Sequence, residues 1–143
     1  MGSLTAFLAG NAEKTPNVKL VVSERFKDEN GNPVEWEIKC INTAEDERLR
    51  KSSNKRVPVV GKKGQYTEEM DWDLYLGKLA AACTVYPDLA DAELQISYHT
   101  EGEANTLKAM LKPGEYTYFV QRVQELNGFT ESFDDKVEEV KNV

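Results

Sequence analysis

The stretch GKKGQYTEEMDWDLYLGKLAAACTVYPDLADAELQ, residues 61–95, decides the fold. Trp72, Tyr75, Leu76, Leu79, Ala80 and Cys83 recur at i, i+3, i+4, i+7, i+8 and i+11, one stripe on a 3.6-residue period. That spacing predicts a helix over residues 71–86. Asp71 is its cap, because a carboxylate at that place accepts a free backbone N–H of the first turn. Pro87 is its expected stop, because proline pushes the residue before it out of the helical region. Ala80, Ala81 and Ala82 favour helix and allow a neighbour to approach closely. A second helix start follows at Asp91. No catalytic apparatus lies on this stretch, which reads as a buried scaffold helix.

Upstream, residues 18–41 predict a β-hairpin. Leu20, Val22 and Phe26 alternate with polar residues, as do Val34, Trp36, Ile38 and Cys40. A two-residue Asn-Gly turn would place these two sets on opposite faces. A three-residue loop of Glu29, Asn30 and Gly31, with Gly31 left-handed, places them on one face. The expected register therefore sets Phe26 opposite Val34, Val22 opposite Ile38 and Leu20 opposite Cys40, with Arg25 opposite Glu35 on the other face. Two strands alone are marginal in water, so the apolar face is expected to pack on helices.

Further elements follow from local signals. Residues 3–9 read as a short helix capped by Ser3, with Leu4, Phe7 and Leu8 docked on the core, or as an extended arm. Thr43 with Asp46 at the N3 position opens a polar helix over 44–53. Short helices are expected over 92–98 and 104–111, and an amphipathic one over 115–126 closed by Asn127-Gly128. Ser132 caps a last helix to about Lys141 with a narrow apolar face of Phe133, Val137 and Val140. The fold class is α+β: one domain over 1–143, with an N-terminal antiparallel β-hairpin (18–41) packed on a mostly α-helical body (44–126), and an acidic C-terminal helix (131–141).

Composition narrows the functional classes. A net charge of −7 argues against a surface built to grip nucleic acid. No apolar run approaches the ~20 residues of a membrane span, and no secretory pattern stands at the N-terminus. The myristoylation pattern fails at Ala6. Cys40 and Cys83 fall on apolar faces and read as buried thiols. The expected location is the cytoplasm.

Charge is distributed unevenly. Residues 48–63 contain Arg48, Arg50, Lys51, Lys55, Arg56, Lys62 and Lys63 and no acid. This segment reads either as a solvated loop or as a docking surface for an acidic partner or a neighbouring subunit. Nucleic-acid contact is disfavoured, because Tyr66 is the only nearby stacking aromatic. Glu131, Asp134, Asp135, Glu138 and Glu139 make the C-terminal segment strongly acidic, a solvated face or the handle for a partner. The two opposite charges also predict self-association. The GKKG of 61–64 lacks the phosphate-loop pattern. His99, the single histidine, reads as a surface residue, and one His with two separated Cys cannot make an ordinary zinc site. Glu68, Glu69, Asp71 and Asp73 could pair for metal or acid–base chemistry, but acids at a helix N-terminus are common for dipole reasons alone. The expectation is a non-enzymatic protein with no cofactor and no metal.

Seven segments carry a resemblance. They are FLAGN (7–11), VVSERF (21–26), GNPVEWEIK (31–39), VPVVGKKGQYTEEMDWDLYLGKLA (57–80), VYPDLADAELQ (85–95), MLKPGEY (110–116) and VQELNGF (123–129). In this order they resemble the phage XkdN-like tail assembly chaperone family; the loop between Ser97 and Leu107 resembles it least. The resemblance implies a non-catalytic protein of the host cytoplasm. Such a protein binds the long, hydrophobic, helical tape measure protein, keeps it soluble and helps tail tube subunits polymerise around it. The alternative is a structural tail or neck component retained in the particle.

Overall fold

A three-stranded antiparallel sheet and five α-helices form the body of the chain, and a second β-hairpin stands out from it. The computed structural model describes residues 4–129. In chain order the elements are β1 (Val18–Leu20), β2 (Trp36–Ile38), α1 (Thr43–Lys51), β3 (Asn54–Pro58), β4 (Tyr66–Met70), α2 (Trp72–Cys83), β5 (Thr84–Tyr86), α3 (Ala92–Ser97), α4 (Glu103–Met110) and α5 (Pro113–Leu126). The fold is α+β, with an N-terminal antiparallel hairpin packed on a mostly helical body. The expected helix over 131–141, like the Ser3 cap, lies outside the described residues.

The hairpin turn follows the expected geometry and the ladder beyond it does not. Gly31 takes φ +81°, the Asp28 N–H donates to the Asn32 carbonyl at 2.8 Å, and Lys27 faces Pro33. Farther out, Leu20 pairs with Trp36 and Val18 with Ile38. The expected pairs Leu20–Cys40 and Val22–Ile38 are therefore displaced by four residues. An even displacement preserves the side-chain parity, so Val22, Trp36 and Ile38 still face inward and are buried. The surplus residues form an excursion that carries Arg25 away from Glu35. The Arg25 guanidinium instead donates to the Met110 carbonyl and to Glu115 Oε1, both at 2.7 Å. Two helix ends meet there: an unpaired carbonyl closing α4 and a carboxylate opening α5. A cation satisfies both.

The central helix ends earlier than its expected stop. Asp71 is its cap, accepting the Leu74 N–H at 3.2 Å. The helix closes at Cys83, where the Thr84 hydroxyl donates back to the Ala80 carbonyl at 2.7 Å. Thr84, Val85 and Tyr86 then run as β5 against β2, which becomes the central strand of the order β1-β2-β5. β-Branched and aromatic side chains suit a pleated surface better than a helix end, and the open edge of β2 offered one. Tyr75, Leu79, Ala80 and Cys83 of the expected stripe are buried, whereas Trp72 is 44% exposed and sets its ring edge-on against Tyr75. The core closes around Trp36, whose ring meets Phe119 of α5 at 5.3 Å between centroids.

Three local expectations are corrected. α1 is capped by Asn42, which accepts the Glu45 N–H at 2.8 Å, and not by Thr43. α5 begins at Pro113, because proline fits the first helical position and Glu115 accepts the Lys112 N–H at 2.8 Å. Leu4, Phe7 and Leu8 do not dock: Leu4–Phe7 is a 3-10 turn with no buried residue.

The Arg25–Glu115 contact makes stability depend on pH. The Arg25 guanidinium, the Ser23 hydroxyl and the Lys112 N–H together lower the Glu115 carboxyl from its ordinary 4.5 to about 2. Its contribution is complete above the ordinary value and is lost as pH falls from there towards about 2. In thermal unfolding followed across that window, the wild-type Tm is expected to drop more steeply than that of Glu115→Gln. At pH 7 the variant is expected to be the less stable of the two.

Candidate functional site

α1 carries little apolar surface, so polar contacts fix it on α2. The buried Tyr75 hydroxyl donates to the Asp46 carboxylate, Asp46 pairs with Arg50 at 3.0 Å, and the Arg50 guanidinium lies 5.5 Å from the centre of the Tyr75 ring. Burial first, and the Asp46 carboxylate second, push the Tyr75 hydroxyl up to about 12. At the other end of α1 the Lys78 ammonium donates to the Ser52 carbonyl at 2.7 Å and to its hydroxyl at 3.1 Å. A cation at helix-terminal carbonyls is favourable for the same reason as at α4.

Between α1 and the start of α4, the outer face of α2 is left uncovered. Leu49, Leu74, Ala81, Ala82 and Ala104 line a groove of about 410 Å³, rimmed by Lys78 on one side and by Gly102, Glu103 and Asn105 on the other. Its floor is made of small side chains, which let an incoming apolar ridge approach the α2 backbone. Arg48 and Lys51 are exposed on α1. A smaller cleft of about 100 Å³ sits at the opposite end of α1, lined by Ile41, Asn42, Thr43, Asp46, Leu79, Asn127 and Phe129. There the Asn127 side chain accepts the Ile41 N–H at 2.9 Å and donates to the Val123 carbonyl at 2.8 Å.

The basic segment 48–63 is not one loop but is divided among the end of α1, β3 and the turn that follows it. Arg50 turns inward to Asp46 and Tyr75. Lys55 and Arg56 lie on β3, where the register sets them opposite Glu69 and Glu68 of β4. Arg56 also stacks over the Tyr66 ring at 4.2 Å. Two of the four acids read as possible chemistry, Glu68 and Glu69, thus face two of the bases read as a docking surface across one hairpin, while Asp71 caps α2 and Asp73 lies in its first turn. Lys62 and Lys63 sit at its tip with Val60, which is 98% exposed, and Gly61 and Gly64 make the turn at φ +78° and +81°. Almost every residue of β3 and β4 is exposed, so the hairpin projects from the body and the Asp71 N–H ties its base to the Ser53 carbonyl at 2.7 Å. The acidic residues Glu131, Asp134, Asp135, Glu138 and Glu139 lie outside the described residues. The groove escaped the sequence reading, although the alanine run that floors it was its signal.

Among the described residues, no three His, Cys, Asp or Glu side chains stand together as a metal would need. His99 is exposed, in a left-handed conformation at φ 54°. Cys83 is buried beside the Asn127 amide, and burial raises its thiol to about 11, which leaves it unreactive at neutral pH. No helix of the described residues is long and apolar enough to cross a membrane. The arrangement offers surfaces: an apolar groove, a basic helix end and a projecting hairpin.

Comparison with known proteins gives consistent relatives. The family model described as phage XkdN-like tail assembly chaperone protein matches residues 4–141. The uncharacterized protein YqbN of Bacillus subtilis is 31% identical over 140 residues, covering 97% of this chain and 93% of the relative. The phage-like element PBSX protein XkdN of the same organism is 29% identical over the same shares. The crystal structure of YqbN superposes with a TM-score of 0.74 at 28% identity, covering 90% of this chain and 98% of that one.

Tyr75→Phe preserves the ring and removes the donor to Asp46. A hydrogen bond to a charged group contributes about 1.5–3 kcal/mol. The variant is expected to lose that much, read in urea unfolding as a lower midpoint with an unchanged slope.

Proposed function

This chain belongs to the phage XkdN-like tail assembly chaperone family, and from that premise we propose that it holds an apolar helical segment of the tape measure protein in the α1–α2–α4 groove. The observation that carries the reading is the groove itself. Leu49, Leu74, Ala81, Ala82 and Ala104 leave an apolar trough on the outer face of the central helix. Helix-in-groove recognition needs such a trough, with small residues where the two backbones approach. A long hydrophobic helical protein without its tube presents many segments that fit it, and covering them keeps that protein soluble. Tail tube subunits then displace the chaperone as they polymerise.

The projecting hairpin serves the encounter. Lys62 and Lys63 at the tip, with Lys78 at the groove, attract acidic stretches of the client, while the net charge of −7 discourages nucleic acid. The activity is binding and release in the host cytoplasm, with no chemical step.

Co-expression with a tape measure protein tests this reading. The client is expected to become soluble and to co-purify. Ala82→Glu places a charge in the apolar trough at a half-buried helical position that tolerates glutamate. It is expected to weaken capture about tenfold or more. Mass spectrometry of purified tails is expected to find the chain absent. A client that stays insoluble and unbound, or capture unaffected by Ala82→Glu, overturns the proposal.

A further inference from the structure

The α1–α2–α4 groove carries charge of opposite sign on its two sides. On α2, Leu74, Lys78, Ala81 and Ala82 stand at i, i+4, i+7 and i+8, so one face of that helix supplies the floor. The Lys78 ammonium leans from this face towards α1, where the Ser52 carbonyl and hydroxyl accept two of its protons. An ammonium carries three donors, so one is left for an incoming carboxylate. Glu103 lines the other side, in the first turn of α4. It is exposed and pairs with no cation among the described residues.

A helix that enters on an apolar ridge has one flank towards α1 and the other towards α4. From Leu74 to Ala82 the floor is about 12 Å long, so a ridge of about two heptads covers it. With large apolar side chains at a and d over the small floor, the g positions form one flank and the e positions the other. An acid on the flank beside Lys78 and a base on the flank beside Glu103 are both attracted. The reverse arrangement sets like charges together on both sides. Turning a helix end for end exchanges its flanks, so only one direction of a given sequence satisfies both walls.

We propose that Lys78 and Glu103 make the groove read the direction of its client helix: it takes an apolar ridge flanked by an acid towards α1 and by a base towards α4, and seats it one way round. The inference rests on the client's seat in this groove, proposed above, and adds the polarity of that seat. Apolar contact supplies affinity without direction, and the two rim charges supply direction. Each partly exposed pair is weak alone, but reversal turns two attractions into two repulsions, so the favoured direction is expected to exceed the other about tenfold at low salt. Salt screens both pairs and erodes the preference. Copies seated on one long helix that repeats this pattern all face the same way.

Two synthetic helical peptides of about two heptads, with leucine at a and d, test this on the full-length chain. One carries glutamate at g and lysine at e, the other the reverse, and each bears a nitroxide at its N-terminus. Paramagnetic broadening of the protein's amide resonances shows where that terminus lies. The first peptide is expected to broaden one end of the floor, Leu74 or Ala82, severalfold more than the other end. The second is expected to broaden the opposite end. A peptide with glutamine at e and g is expected to broaden both ends alike. Lys78→Glu/Glu103→Lys is expected to exchange the ends; because Lys78 also holds Ser52, the peptide exchange on the wild-type chain decides the question if that variant unfolds. Both charged peptides broadening the same end, either broadening both ends alike, or the glutamine peptide choosing one end as sharply as they do overturns the direction and leaves the seat standing. Broadening only away from the groove, or none, overturns the seat and the direction with it.

Discussion

The structure depends on how closely its neighbours can approach α2. Four elements lean on this helix of twelve residues: α1, α4, α5 and the strand that continues from it. Side chains of ordinary size on every face would hold them apart. Gly77 removes the obstacle on one side, where a Cβ would come within 2.9 Å of the Lys108 stem and 3.3 Å of the Tyr116 hydroxyl. Ala80 and Ala81 remove it on others and are buried. Two hydrophobic faces then meet through Tyr75, Leu79 and Cys83. A glycine inside a helix costs about 1 kcal/mol against alanine. Here that cost lets the Lys108 stem and the Tyr116 hydroxyl lie close against the α2 backbone.

What was legible in the sequence was local. The Asp71 and Asp91 caps and the left-handed Gly31 each depend on residues a few positions apart. What was not legible was decided at long range. The displaced β1–β2 ladder goes with an Arg25 that reaches Met110 and Glu115, residues 85 and 90 positions away. β5 formed because β2 had an edge to fill, and the helical period up to Cys83 gave no notice of it. The hydrophobic pattern chose the correct faces, since parity survives an even displacement, but it could not choose between registers of the same parity.

The candidate site divides along the same line. The basic run was visible residue by residue, yet its meaning changed when Glu68 and Glu69 came to stand across from Arg56 and Lys55. No alternation announced β3, because NKRVP and YTEEM are exposed on both faces and neither face selects for apolar residues. The groove is composed of α1, α2 and α4 together, so only its alanine floor was readable in one dimension.

The projecting hairpin leaves two strand edges without a neighbour in the described residues. Open edges are templates for unwanted β-pairing. Lys55, Arg56 and Pro58 on one edge, with Glu68 and Glu69 on the other, act as gatekeepers: charge and a missing N–H make each edge a poor template. Their opposite signs across the ladder also favour pairing of the hairpin's own two strands. The same residues that first suggested a docking patch thus let a bare two-stranded arm reach into solvent without seeding aggregation.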